Sequence, residues 1–512
     1  AVGMRFAAPS CHGDGDRSRG EWHPPLYLLR SEYLEDKGSP LMGTTRLAAL
    51  RMPSLESTPR RLQRGTGGDQ GEEPGALGAR HVATLAFAMA CSGPFGVENC
   101  VRTFGATWSL VGFLLTTLIY VLPQIFMTAE LSLMVPLNNG GVVSWVERAF
   151  GRAASATVAL NMVVYQIVDL ATYPSLVVGY TLDVEQSISP WVVTASSYMV
   201  IALGLAANLL NIRVATELYT WMLGLILLPF AVGLILSVKS WPVAWAAAIG
   251  RAPSTLEPVH ASIADLNLYL STMLWLNTGW DSIGNLAAEV SSPRALLRGL
   301  GAAAAACPVV YVLCTFGALA AGRGSWDDGY LGTAYGKFWS PLTPVIVVMG
   351  SFANLLLYVS ELACLARLVQ SMGVRGPGGG FLPSCLASHS STNSPVAALL
   401  LVSLCQCGLV AGFKFEYLVQ LSTLTHVVAL WFALAAFVQL RTQDPGPERL
   451  WVIPGGHRGL LAVVALKGPV LAFLCVAACT KPEVACGAVI GNFLFISLFS
   501  VCGWRSRGVS TP

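Results

Sequence analysis

Five carboxylates stand inside otherwise apolar stretches of the chain: Glu98, Glu130, Asp169, Asp281 and Glu361. A charge at the centre of a membrane helix costs at least about 2.5 kcal/mol, so an acid kept there is a functional candidate. The alternative is a structural acid paired with a backbone amide or a polar neighbour. Both readings stand for Glu98, Glu130 and Asp281; Asp169 and Glu361, more central in their stretches, are read as functional. Lys467 is either a counter-ion for one of them or, beside Gly468 and Pro469, a kink residue near one interface. Aromatic rings gather along the same stretches: Phe95, Tyr165, Tyr173, Trp275 and Trp280. An ammonium group entering a dry cavity is met by a carboxylate and by ring faces, each ring contributing about 0.5–2 kcal/mol. Acids and rings together outline a cation site. Ordinary packing or an interface belt is the alternative for any single ring and is favoured for Tyr165, whereas Tyr173, Trp275 and Trp280 are the better candidates.

The elements that must hold these residues are membrane helices. Apolar residues make up 54% of the 512-residue chain and charged residues only 12%, about half the ~25% usual in soluble domains. From residue 79 onward an apolar stretch closed by a polar or Pro/Gly-rich turn recurs, each long enough to cross about 30 Å of hydrocarbon as a helix. We read twelve spans, at 79–103, 107–135, 153–181, 190–210, 214–238, 262–290, 298–322, 341–372, 394–411, 416–440, 459–479 and 482–503. They are helices because isolated strands would leave backbone groups unpaired in lipid, and period-two alternation is missing from runs such as Leu223 to Ile235. The fold class expected is an all-α polytopic membrane protein. Residues 1–78, with ten basic and ten acidic residues and no long apolar run, are expected to form a disordered cytoplasmic tail. They lack the pattern of a cleaved secretory signal, and residues 504–512 form a short cytoplasmic tail at the other end. The loops on the side of the termini carry more basic residues, Arg148, Arg152, Arg213, Arg441, Arg449 and Arg458 among them. The opposite loops carry Arg102, Lys239, Arg251, Arg323, Lys337, Lys414 and Lys481. Both termini are therefore expected in the cytoplasm.

Two spans carry breaks in corresponding places. Span 1 contains Cys91-Ser92-Gly93-Pro94-Phe95-Gly96, in which Pro94 and two glycines cannot sustain helical hydrogen bonding. Span 6 contains the weaker break Asn277-Thr278-Gly279-Trp280-Asp281. Breaks in spans 1 and 6 suggest two halves of five helices each. Unwound backbone at membrane depth is tolerated where it lines a protein or water-filled cavity, and half-helix ends there hold charged groups; a plain proline kink is the alternative. Other function classes find little support. The net charge of +3, from Lys plus Arg 31 against Asp plus Glu 28, is too small and scattered for a nucleic-acid surface. The chain has no Walker A motif, no H-E-x-x-H or G-x-S-x-G pattern, and no repeated channel filter. Its thirteen cysteines follow no metal-ligand spacing, so neither a metal nor a cofactor is expected. The partners expected are a small cationic substrate, protons and the lipid bilayer.

At S-G-P-F-G-V-E-N-C-V-R-T-F-G, from Ser92 to Gly105, the chain resembles the polyamine transporter branch of the amino acid-polyamine-organocation superfamily, found in plants and trypanosomatid parasites. The likeness continues in order at Pro123 and T-A-E-L (Thr128 to Leu131), at N-N-G-G-V-V-S-W-V (Asn138 to Val146) and at D-L-A-T-Y-P (Asp169 to Pro174). It recurs at W-L-N-T-G-W-D-S (Trp275 to Ser282), at A-A-E-V (Ala287 to Val290) and at W-V-I-P (Trp451 to Pro454). The resemblance implies a twelve-helix transporter domain over 79–503 in which helices 1–5 and 6–10 form inverted repeats, helices 1 and 6 are broken, and helices 11–12 are peripheral. It implies proton-coupled uptake of putrescine or spermidine at a cell surface, that is, the plasma membrane. By position, Ser92, Gly93, Pro94, Phe95 and Gly96 would form the first unwound segment, and Trp275, Asn277, Thr278 and Gly279 the second. Asp169 and Tyr173 match a D-x-x-x-Y-P pattern, and Glu361 falls where related transporters keep an acid in span 8. Residues 373–380, Gly-Val-Arg-Gly-Pro-Gly-Gly-Gly, depart most from the plant members.

Charge separates the substrate classes. An amino acid brings a carboxylate that wants free backbone N–H groups at a half-helix N-terminus, whereas a polyamine brings only ammonium groups and wants acids. Asp169 and Glu361 favour the polyamine, with Tyr173, Trp275 and Trp280 supplying rings or hydrogen bonds and Asn277 its amide oxygen. Either Glu98 or Glu361 is the candidate for the coupling proton, a role that requires desolvation to favour the neutral acid. A cationic or neutral amino acid permease on the same scaffold, and a sensor signalling through the tail, are the other readings.

Overall fold

The chain divides into two units, Ala1–Asp69 and Gln70–Pro512. The computed structural model describes residues 77–478, apart from 138, 182–188, 257–261, 328, 375–379, 391–393, 413–414 and 444–446. Most of the expected N-terminal tail, the expected span at 482–503 and the C-terminal tail lie outside the described residues.

Among the described residues the structure is helical, with isolated bridges and no strand. The first span is α1 (Ala79–Ala90), an unwound stretch, and the start of α2 (Val97–Thr116). At Gly105 (φ 80°, ψ 169°) the chain leaves helical geometry for a single residue, in a conformation that glycine alone adopts readily. The helix then runs on through a π-helical turn, Thr117–Val121, into α3 (Leu122–Ser132). The first two expected spans are thus joined by one residue, a shorter connection than the spacing of apolar stretches suggests. A short helix, α4 (Gly141–Phe150), leads to α5 (Arg152–Leu170) and α6 (Thr172–Thr181). Then come α7 (Pro190–Asn208), α8 (Ile212–Leu236) and the short α9 (Trp241–Ala248). The sixth expected span is α10 (Ile263–Trp275), a break, and a 3₁₀ helix, Ser282–Glu289. The remaining helices are α11 (Pro293–Leu319), the short α12 (Tyr330–Gly336), α13 (Leu342–Gly373), α14 (Val396–Gly412), α15 (Phe415–Thr442) and α16 (Gly456–Ala478).

Eight helical runs among the described residues are long and apolar enough to cross a membrane, and Val396–Gly412 is a shorter apolar helix. Their outward faces are apolar: Trp221 is 79% exposed, Ile235 71% and Leu404 70%. Surface of that kind is natural against lipid and a liability in water.

The helices are tied by buried polar contacts. On α7, Asn208 donates to the Val359 carbonyl of α13 at 3.0 Å. Tyr269 of α10 donates to the Trp108 carbonyl of α2 at 2.6 Å while its ring stacks on Phe104 with centroids 4.8 Å apart. Arg367, buried on α13, pairs with Glu289 at 2.5 Å, and Asn139 holds the same 3₁₀ end by accepting from the Ala288 N–H at 2.9 Å. Glu130, fully buried on α3, pairs with Arg441 at the end of α15 and with Arg449 at 3.5 Å, and accepts from the Ile453 N–H at 2.8 Å. Of the two readings of Glu130, these partners favour the structural one.

Removing one member of a buried ion cluster leaves the others uncompensated, at a cost of about 3–5 kcal/mol. Glu130→Ala should therefore lower the unfolding temperature of the detergent-solubilised protein sharply, as followed by tryptophan fluorescence. An unchanged transition would show that the cluster carries no stability.

Candidate functional site

Two unwound segments meet at the centre of the bundle. In the first, the N–H groups of Cys91 and Ser92 both donate to the Phe87 carbonyl, at 2.8 and 3.1 Å, closing α1. Ser92 has φ 48° and Gly93 φ 141°, and the Ser92 hydroxyl turns back to the Ala88 carbonyl. Pro94 follows without an N–H to offer. The chain restarts as α2 after Gly96 (φ 90°), whose N–H donates to the Glu98 carboxylate at 3.0 Å. In the second segment α10 frays at Trp275, with the Asn277 amide nitrogen donating to the Met273 carbonyl at 2.9 Å and the Thr278 hydroxyl to the Trp275 carbonyl at 2.9 Å. Gly279 (φ 91°) comes next, and a Cβ there would stand 2.9 Å from the Met89 carbonyl oxygen of α1. The two interruptions are therefore in van der Waals contact, which any side chain at position 279 would obstruct. Tyr311 of α11 spans both: its hydroxyl donates to the Leu276 carbonyl at 2.7 Å and lies 3.4 Å from the Ala90 carbonyl.

A cavity of about 160 Å³ opens where these segments meet. One wall is Met89, Ala90, Cys91, Phe95, Gly96 and Asn99 from the first broken helix; another is Trp275, Leu276 and Thr278 from the second. Tyr173 of α6, Tyr311 of α11, and Asn354 and Leu357 of α13 complete it. Its size is below the ~300–1,000 Å³ of pockets for drug-sized ligands and suits a small solute. Four aromatic rings and two amide side chains line it, and the Phe95 ring is fixed edge-on against Phe230 with centroids 5.6 Å apart.

Of the expected site residues, Phe95, Gly96, Tyr173, Trp275 and Thr278 line the cavity. Ser92, Gly93 and Pro94 shape the first break without lining it, and Gly279 sets the contact between the breaks. Asn277 is buried with its amide nitrogen turned to its own helix, and Trp280 is 1% exposed within the core rather than on the cavity wall. Asp169 and Glu361 lie one layer behind the wall. The Tyr173 hydroxyl donates to Asp169 Oδ2 at 3.1 Å, linking cavity to acid across one helical turn. Asp169 also interacts electrostatically with Ser422 on α15 and with Glu361. Glu361 itself is 7% exposed and shares a face of α13 with Leu357 and Asn354, at spacings of four and seven.

Several participants are absent from the sequence-based set. Tyr311 is a lone phenol in an alanine-rich span, Asn354 sits two turns before Glu361, and Asn99 follows Glu98 in the first break's restart. His426 of α15 pairs with Asp281 at 3.3 Å and stacks on Tyr165, centroids 3.8 Å apart and planes 1° from parallel. Asp281 thus has a side-chain partner that only the fold reveals. Lys467 is fully buried, its Nζ 5.3 Å from the Tyr120 ring centroid, and it interacts with Asp281, as the counter-ion reading expects.

Residues 84–502 match the amino acid permease family. The chain belongs to that family. It is 31% identical over 428 residues to a polyamine transporter of Oryza sativa subsp. japonica, covering 79% of this chain and 76% of that protein. It is 28% identical over 426 residues to a probable polyamine transporter of Arabidopsis thaliana, covering 79% and 80%. With a second polyamine transporter of Arabidopsis thaliana it shares 27% identity over 404 residues, covering 76% and 79%. The permease is an integral multi-pass membrane protein and a transporter rather than an enzyme.

The contact between the breaks makes a direct test. Gly279→Ala should be inserted and purified like the wild type yet lose at least about tenfold in uptake, since backbone strain of about 1–3 kcal/mol falls on the segment beside the cavity. Wild-type uptake by this variant would show that the breaks need not touch.

Proposed function

We propose that this permease is a secondary active, proton-coupled transporter of polyamines such as putrescine and spermidine. The observation that carries the reading is the hydrogen bond from Tyr173, on the cavity wall, to Asp169. A linear diamine has apolar methylenes and terminal ammonium groups; the ring faces of Phe95, Tyr173, Trp275 and Tyr311 suit the former, and the two acids suit the latter. The names of the plant relatives support the same substrate class. The substrate site in this reading comprises Ser92 to Gly96, Asp169, Tyr173, Trp275, Asn277, Thr278, Gly279 and Glu361, with Trp280 packed behind the second break. In the scaffold that goes with it, residues 79–503 form twelve helices, 1–5 and 6–10 as inverted repeats with 11 and 12 peripheral. The tails 1–78 and 504–512 face the cytoplasm at the plasma membrane.

An amino acid on the same scaffold is the weaker reading, and Glu98 is the reason. Its carboxylate accepts from the Gly96 N–H at the restart of the first broken helix, the place where a substrate carboxylate would seek backbone donors. That same engagement leaves Glu361, next to Asp169, as the better of the two candidates for the coupling proton.

Asp169→Asn should abolish labelled putrescine uptake, by at least a hundredfold, with unchanged surface expression; unaltered kinetics would remove Asp169 from the site. In liposomes with an imposed pH gradient, putrescine should accumulate and be competed by spermidine and not by arginine. Competition by arginine alone would favour the amino acid reading, and the lack of any concentrative uptake would favour a sensor.

A further inference from the structure

The roles assigned so far leave a second buried cluster without a task. His426 joins two elements that carry acids. Its Nε2 lies 3.3 Å from Asp281 Oδ2, at the foot of the second break. The parallel stack on Tyr165, one turn before Asp169 on α5, fixes the ring in place. His426 is 5% exposed and Asp281 2%. Among the described residues, the titratable groups around this pair are Tyr165 and Asp169 of α5, Tyr173 of α6, and Glu361 and Cys364 of α13. Lys467 of α16 and Tyr120 of the π-helical turn also interact with Asp281.

A buried hydrogen-bond donor to Asp281 could be an amide. Imidazole differs from an amide in one property: its charge ordinarily changes near neutral pH. We propose that His426 is a second proton-binding site, and that its proton and the substrate cation at Asp169 exclude one another. With neutral imidazole the negative charge of Asp169 is unopposed and favours an ammonium group. When a proton from water binds the ring, the imidazolium pairs with Asp281 and sets a positive charge facing Asp169, which opposes a second cation there. As the proton arrives, the ammonium group beside Asp169 leaves with the rest of the diamine to the aqueous phase, so one positive charge replaces another next to that acid. This inference rests on reading Asp169 as the cation-binding acid.

The test is putrescine binding to the full-length protein in lipid nanodiscs by calorimetry, between about pH 5 and 8, in buffers of different ionisation enthalpy. The wild type should bind more weakly toward acid pH, by up to about tenfold per pH unit, and should release protons as putrescine binds. His426→Gln, which keeps a donor for Asp281, should bind with an affinity that no longer varies with pH and should release no proton. His426→Arg, a permanent cation, should bind at least about tenfold more weakly even at the alkaline end. Proton release that persists in His426→Gln would assign the proton to Asp169 and Glu361 and overturn the proposal. Wild-type binding that is flat with pH and free of proton release would overturn it without need of any variant, and would leave the polyamine reading intact. Failure of the wild type to bind either putrescine or spermidine would remove both.

Discussion

A helix interrupted inside a membrane exposes carbonyls and amides that lipid cannot satisfy, and the whole centre of this permease is organised around meeting that demand. Several groups at the two breaks find protein partners. The Ser92 hydroxyl returns to Ala88, the Glu98 carboxylate takes the Gly96 N–H, and the Asn277 amide and Thr278 hydroxyl close the end of α10. Tyr311 reaches both interruptions. Because one hydroxyl from α11 stands against carbonyls of two broken helices, the breaks are held at a common depth, and the cavity forms in the space between them.

The chemistry is layered around that space. Rings and amides form the wall, and the acids stand one side chain back, reached through Tyr173. Such an arrangement avoids leaving bare carboxylates in an empty cavity, where desolvation would be costly. It also separates two classes of acid within the bundle. Glu130 and Glu289 are closed by arginines and bind helices together. Asp169 and Glu361 have hydroxyls and each other, partners that a cation can replace.

Much of this was legible from residue types. Pro94 with Gly93 and Gly96 removes a donor and favours non-helical backbone, so the first break is strongly signalled by the chain itself. The second was fainter because Gly279 is its single backbone breaker, and its position matters through contact with Met89, which no local pattern encodes. Acids inside apolar stretches are conspicuous for the same energetic reason in any membrane protein, yet their type does not reveal their partners. Glu130 and Asp169 look alike in sequence; one meets two arginines more than three hundred positions away, and the other a tyrosine one turn along its own span. His426, Tyr311 and Asn354 escaped notice because a lone polar residue in a long apolar helix carries no periodicity, and only packing shows which face it is on. Trp280 was selected for its ring beside a break, and packing turned that ring into the core.

Gly105 gives the first broken helix a mechanical property of its own. One residue separates the segment beginning at Val97 from the long helix that ends beside Glu130, and adjoining Cα atoms across a trans peptide are fixed 3.80 Å apart. The spacing across the joint is fixed, but the two glycine dihedrals are free to turn. The segment beside the cavity can therefore pivot at Gly105 while the long helix beyond it stays anchored by Glu130 to Arg441 and Arg449.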